Sequence, residues 1–227
     1  MQLRGQGKAA LLLTGMLMAG PALAHKAGDV IVRLGGIKVD PDASSETFNP
    51  ALPAVGGLGV DVDDDTQVGL TLAYMVTDSV GVELVGATPF THDILLDTGG
   101  GGVAIGETSH LPPTLLAQYY APQVGPMRAY VGAGLNYTLF FEDSIDDAVV
   151  SPLLGGADAD VKLSNSMGFA WEVGADFALD DNWLFNVSVW NIDIDTEARL
   201  YGNNARVDKI DVEIDPWVYM VGLGYRF

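Results

Sequence analysis

The C-terminal end of the chain, residues 215–227, constrains the fold most, because it alternates. Trp217, Tyr219, Val221, Leu223, Tyr225 and Phe227 fall on one parity, and Gly222, Gly224 and Arg226 on the other. A period of two is the signature of a β-strand. In a soluble sheet the outward face would be polar. Here one face is an unbroken row of large apolar side chains with aromatics at both ends, as a lipid interior and its two interfaces require. A strand set in lipid must have every backbone group paired on both edges, and a closed barrel is the sheet that provides this.

The other end of the chain points to the same compartment. Residues 1–24 carry Arg4 and Lys8, an apolar run, then Pro21 and the triplet Ala22-Leu23-Ala24, which is the pattern of a cleaved secretory signal peptide. The apolar run is shorter than the roughly 20 residues a spanning helix needs. The expected organisation is therefore a signal peptide over 1–24 and one outer-membrane barrel over 25–227. Cleavage would remove Arg4 and Lys8, so that nine cations face 30 acidic residues, a net charge of −21. Such acidity speaks against nucleic-acid binding, which depends on Lys and Arg at phosphates. With no cysteine, disulfides and thiolate chemistry are excluded. The longest uncharged stretch of the mature chain, residues 109–127, is interrupted by Pro112, Pro113, Pro122 and Pro126 and cannot span as a helix.

Seven further alternating segments precede the last one: residues 29–39, 66–76, 80–90, 110–120, 128–141, 166–179 and 183–196. Short turns at 77–79, 121–127 and 180–182 alternate with long acidic or glycine-rich stretches at 40–65, 91–109 and 142–163 and a polar region around Gly202-Asn203-Asn204. This rhythm predicts an all-β protein: an eight-stranded antiparallel transmembrane β-barrel with short periplasmic turns and long external loops.

Parity also sorts the lumen by height. Near the periplasmic end the inward residues include Glu83, Gln118, Arg128, Asp176 and Arg226, with Arg33 and Glu172 a little higher. Opposite charges in a narrow lumen are expected to form a salt-bridged floor. Above it the inward residues become apolar: Val85, Ala87, Leu116, Trp190, Ile192, Val218 and Met220. An eight-stranded barrel holds its own side chains or one small ligand. These residues are thus expected to line a hydrophobic channel closed below, a packed core being the alternative. Pro89, Pro112 and Pro113 lie in the two strands of one hairpin, and each removes a ladder donor. They mark either a lateral exit through the wall or simple strand ends.

Chemistry is sparsely provided for. The run Asp61-Val62-Asp63-Asp64-Asp65 lacks the Gly and distal Glu of a calcium loop and reads as a solvated face. His92 and His110 flank one loop and can lie close, but two histidines without a third ligand do not make a metal site. No Ser, His and acid fall in a nucleophile motif, so neither an enzyme activity nor a cofactor is expected.

Several segments together carry a family resemblance: Asp78-Ser79-Val80-Gly81-Val82-Glu83-Leu84, Ala87-Thr88-Pro89-Phe90, His110-Leu111-Pro112-Pro113-Thr114, residues 131–138, Ser188-Val189-Trp190 with Asp193-Ile194-Asp195-Thr196, and Asp215-Pro216-Trp217. Over 25–227 the chain resembles the OmpW family of bacterial outer-membrane proteins, to which the alkane-uptake protein AlkL belongs. The resemblance implies a barrel in the outer membrane of a Gram-negative bacterium, with an apolar interior that passes small hydrophobic molecules. The partners expected are outer-membrane lipids, small hydrophobic solutes and the outer-membrane insertion machinery, which would read the strand ending at Phe227. A structural or interaction barrel, whose acidic loops meet surface lipids or other partners, is the alternative.

Overall fold

A computed structural model describes residues 25–52, 55–98 and 102–227. The signal-peptide reading of residues 1–24 lies outside the described residues. In chain order the elements are β1 (Val30–Asp40), β2 (Ser44–Ser45), β3 (Val60–Val62), β4 (Asp65–Met75), β5 (Val80–Ala87), β6 (Phe90–Asp97), β7 (Gly102–Leu111) and β8 (Thr114–Tyr120). They continue with β9 (Met127–Ile145), α1 (Asp147–Leu153), β10 (Ala159–Leu163), β11 (Ser166–Ala178), β12 (Trp183–Ile192), β13 (Asp195–Gly202), β14 (Ala205–Glu213) and β15 (Trp217–Arg226).

Eight of these strands form the membrane barrel. The order β11-β12-β15-β1-β4-β5-β8-β9 is antiparallel throughout, and β9 pairs back onto β11 to close it. Closure leaves these staves without a free edge, which is what a bilayer demands. The outward parity of β15 holds as read: Trp217, Tyr219, Val221 and Leu223 are 38–55% exposed, whereas Val218 and Met220 are buried. Trp183, Tyr225 and Phe227 pack edge to face at the periplasmic rim, and Trp171 meets Trp217 nearer the outer rim. These clusters bracket the lipid-facing belt as interfacial aromatics do. The close Gly35–Gly222 pairing of β1 with β15 requires glycine, since a Cβ on either would run into the opposite backbone.

The segments read as long loops are more ordered than expected. They contribute β2, β3, β6, β7, β10, β13, β14 and α1. β6 and β7 form a hairpin with β3 on its free side and β9 on the other, while β10, β13, β14 and β2 form a four-stranded sheet. Together they make a collar that carries the barrel wall beyond the membrane. Among the described residues only β9, 19 residues long, runs unbroken from the periplasmic rim into the collar. The stave expected over 80–90 breaks into β5 and β6 at Thr88-Pro89, and that over 110–120 into β7 and β8 at Pro112-Pro113. Each break falls where proline removes a ladder donor.

Candidate functional site: the lumen from floor to collar

Arg33 is the centre of the floor. It lies on the inward parity of β1 and is fully buried. Its Nε and Nη2 donate to the two oxygens of Asp176 at 3.0 and 2.6 Å, and its Nη1 donates to Glu83 Oε2 at 2.6 Å. Thr71 Oγ1 donates to that same Glu83 oxygen at 3.0 Å, and the Tyr120 hydroxyl accepts from Nη2 at 3.1 Å. Asn186 Nδ2 and His25 Nε2 complete Asp176 at 2.8 and 3.0 Å. Glu172 sits beside this group and accepts from Gln118 Nε2 at 2.9 Å. The planar guanidinium satisfies two carboxylates from different staves at once, a fit for which Lys has no equivalent. Gly174 leaves the space that the Tyr130 ring fills, and Tyr130 in turn accepts from Asn186 at 2.9 Å.

Two of the charged residues read from sequence lie elsewhere. Arg128 donates to main-chain carbonyls of His25, Ala121 and Asp78, clamping the rim instead of pairing with a carboxylate. Arg226 is not part of the buried floor. Still paired with Ile31 at the end of β15, it lines the periplasmic opening below the floor with His25, Arg128 and Asp176, and its side chain reaches the Asp181 carbonyl and Asp29 at 3.8 Å. His25, Thr71, Tyr120, Tyr130 and Asn186 are floor residues that the sequence reading did not single out. Inward parity was the available signal for the four on strands, whereas His25 precedes β1 and offered none.

Leu116 and Met220 are buried above the floor and line neither of the openings over it. Next comes a narrow cleft of about 20 Å³ whose walls include Val85, Ala87, Phe90, Pro112, Thr114, Trp190, Ile192 and Val218. It lies against a slit in the wall. Pairing of β5 with β8 ends at Val85–Thr114, and pairing of β6 with β7 begins at Phe90–His110, so residues 86–89 and 111–113 face each other without ladder pairs. The far sides stay tied: Thr88 N donates to Val68 O at 3.0 Å, and Tyr137 N and Asn136 Nδ2 bond the carbonyls of Pro113 and Pro112 at 3.0 and 3.1 Å. Pro89, Pro112 and Pro113 thus border the slit together.

Above the cleft, inside the collar, is an apolar chamber of about 60 Å³. Its wall is drawn from many separate segments, among them Val39, Phe48, Ile94, Ile105, Val150, Leu200 and Ile214. Three polar residues also line it: His92, Thr108 and His110. The hairpin β6–β7 brings the two histidines ring to ring, with centroids 4.9 Å apart and Nε2 to Nε2 at 2.9 Å. Phe90 and Phe140 flank His110. These rings lie beyond the lipid belt, where the outward neighbours Thr91, Glu107 and Asp93 are polar. Burial, and then the neighbouring His92 ring, drive the His110 pKa down to about 3, so His110 is neutral in ordinary conditions.

Residues 26–227 match the model of the OmpW family. The chain belongs to the OmpW family. Outer membrane protein W of Vibrio cholerae is 43% identical over 222 residues, covering 96% of this chain and 97% of that protein. The crystal structure of the outer membrane protein OprG from Pseudomonas aeruginosa superposes with a TM-score of 0.78 at 42% identity, over 90% of this chain and 98% of that one. A more distant relative, the Dibenzothiophene metabolism operon protein PahQ of Pseudomonas aeruginosa, is 28% identical over 86% of this chain and 87% of its own length. Family membership and an outer-membrane-type barrel place the protein in the outer membrane of a Gram-negative bacterium, embedded in its lipids.

Proposed function

We propose that the protein is a passive uptake channel for small hydrophobic molecules. They enter the collar chamber from outside, descend to the cleft beside Val85 and Trp190, and leave sideways into the membrane through the slit bordered by Pro89, Pro112 and Pro113. The observation that carries this reading is the stacking of three features: an apolar chamber, a floor closed by buried ion pairs, and an unpaired stretch of wall between them. With the floor closed, a solute has no straight path to the periplasm, and the slit is where the wall opens at least cost in hydrogen bonds. The name of the PahQ relative, with its reference to the metabolism of an apolar polycyclic compound, supports the same solute class. Folding into the membrane is assigned to the insertion machinery, with the outward-facing terminal Phe227 as part of the segment it reads.

The test is uptake of an apolar fluorescent solute by whole cells that carry the wild-type barrel, a Pro89→Ala variant or no barrel. Alanine restores one donor facing the slit, while Pro112 and Pro113 still lack theirs. Uptake should therefore slow severalfold without stopping, in a barrel that still shows the heat-dependent gel shift of the folded state. Unchanged uptake by the folded variant removes lateral release. Equal uptake with and without the barrel removes transport altogether and leaves the structural alternative.

A further inference from the structure

The chamber wall contains a polar side chain with a buried atom that none of the described residues satisfies. His92 Nδ1 lies 2.7 Å from the Asp63 carbonyl oxygen, which can only accept, so this nitrogen carries a proton. With one proton per ring, His92 Nε2 is bare, and His110 Nε2, 2.9 Å away, must donate to it. His110 then has no proton left for Nδ1, which is a buried acceptor without a hydrogen-bond partner. The tautomers are fixed here by the partners of each nitrogen. The third polar wall residue is already satisfied, since Thr108 Oγ1 donates to Asp143 at 2.7 Å. In the cleft below, Trp190 Nε1 is also buried without a partner, and an indole N–H can only donate.

We propose that chamber and cleft are two stations for hydrophobic molecules bearing a single hydroxyl, short aliphatic alcohols being the class that fits. The alcohol O–H donates to His110 Nδ1 in the chamber, and its oxygen accepts from Trp190 Nε1 in the cleft. The proposal rests on the uptake reading and narrows its solute class. A hydrocarbon suits the apolar wall but leaves both atoms unpaired. A diol or sugar brings more polar groups than these two atoms can satisfy, and each one left over is penalised on burial. The chamber volume of about 60 Å³ is on the order of four to six water-sized spheres, which favours a slim chain over a fused ring system.

The experiment uses the mature barrel in lipid nanodiscs with ¹⁵N-labelled histidine, a sparse spectrum because the sequence has only three histidines. Hexane, 1-hexanol and hexyl methyl ether are added at matched mole fraction in the lipid, and occupancy is followed at the methyl groups of Ile94 and Ile105. Hexanol should shift the His110 Nδ1 signal upfield and occupy the chamber roughly 3- to 10-fold more than the ether, as one hydrogen bond would give. Hexane and the ether should leave that signal in place. His110→Phe in a His92→Leu background, which leaves no stranded histidine partner, should bring the alcohol and the ether to equal occupancy. If all three molecules enter alike and His110 does not respond, the hydroxyl preference is overturned and the uptake reading survives. If none enters, both fall.

Discussion

Replacing Arg33 with Met tests what closes the barrel. The change removes the one group among the described residues that bonds both Asp176 and Glu83, and with it two ion pairs of 2.6 Å. Asp176 keeps His25 and Asn186, and Glu83 keeps Thr71, so neither carboxylate is stripped bare. Both nevertheless remain buried without a cation, and breaking such a pair from one side costs about 3–5 kcal/mol. At about 1.4 kcal/mol per decade, the folded-to-unfolded ratio in lipid should fall roughly a hundred- to several-thousand-fold. Equilibrium urea unfolding of the reconstituted barrel, followed by tryptophan fluorescence and by the gel shift of the folded form, measures this directly. A triple variant, Arg33→Met with Glu83→Gln and Asp176→Asn, removes the charges together and should return to within about 1–2 kcal/mol of wild type. A single variant that loses less than about 1 kcal/mol, or a triple variant no better than the single one, would refute the view that charge compensation holds the floor.

The collar should be acid-sensitive through His110. Its folded pKa of about 3 lies below the unfolded value near 6.5, so the stability it contributes is complete above about pH 6.5 and is lost as pH falls toward 3. The loss should be about 2 kcal/mol between pH 7 and pH 5, read as faster amide exchange in β6 and β7, with His110→Phe in the His92→Leu background abolishing the pH dependence. Asp65 acts against the shift, and Asp63 and Asp143 are the other acids tied to this site, so variants there should alter the size of the effect but not its sign. Gly174→Ala should cost about 1–3 kcal/mol in urea unfolding, because the added methyl occupies the place of the Tyr130 ring. Trp190→Ala should not abolish uptake of an apolar solute in whole cells, since it widens the cleft and restores no ladder donor along the slit; abolished uptake would make the Trp190 ring necessary for passage of apolar solutes as well.

The membrane portion was legible in the sequence because lipid enforces a strict code. Val131, Leu135 and Tyr137 face out, while the intervening Gly134 and Asn136 face in, and any lapse would expose polar groups to hydrocarbon. The collar was harder to read for the converse reason. Phe90, His92, Ile94 and Leu96 alternate inward just as regularly, but their outward neighbours Thr91, Asp93 and Asp97 face water, and the mixture looked like loop. The chamber escaped notice because its wall is assembled from segments as distant as Phe48, Val150 and Ile214, which only long-range pairing brings together. Arg226 keeps its inward parity but sits at the periplasmic opening below the buried floor, because alternation fixes the side of a strand and not how far the packed lumen extends along it.

The closed floor also bears on what the proposed channel would cost a cell. An outer membrane is useful only while it keeps out detergents, bulky antibiotics and polar poisons, and an aqueous hole admits these together with food. A barrel bolted shut at its base by Arg33, Asp176 and Glu83 offers no such hole. Many copies could be displayed without making the envelope leaky, so their number can follow the scarcity of the solute and need not be limited by the danger of the opening.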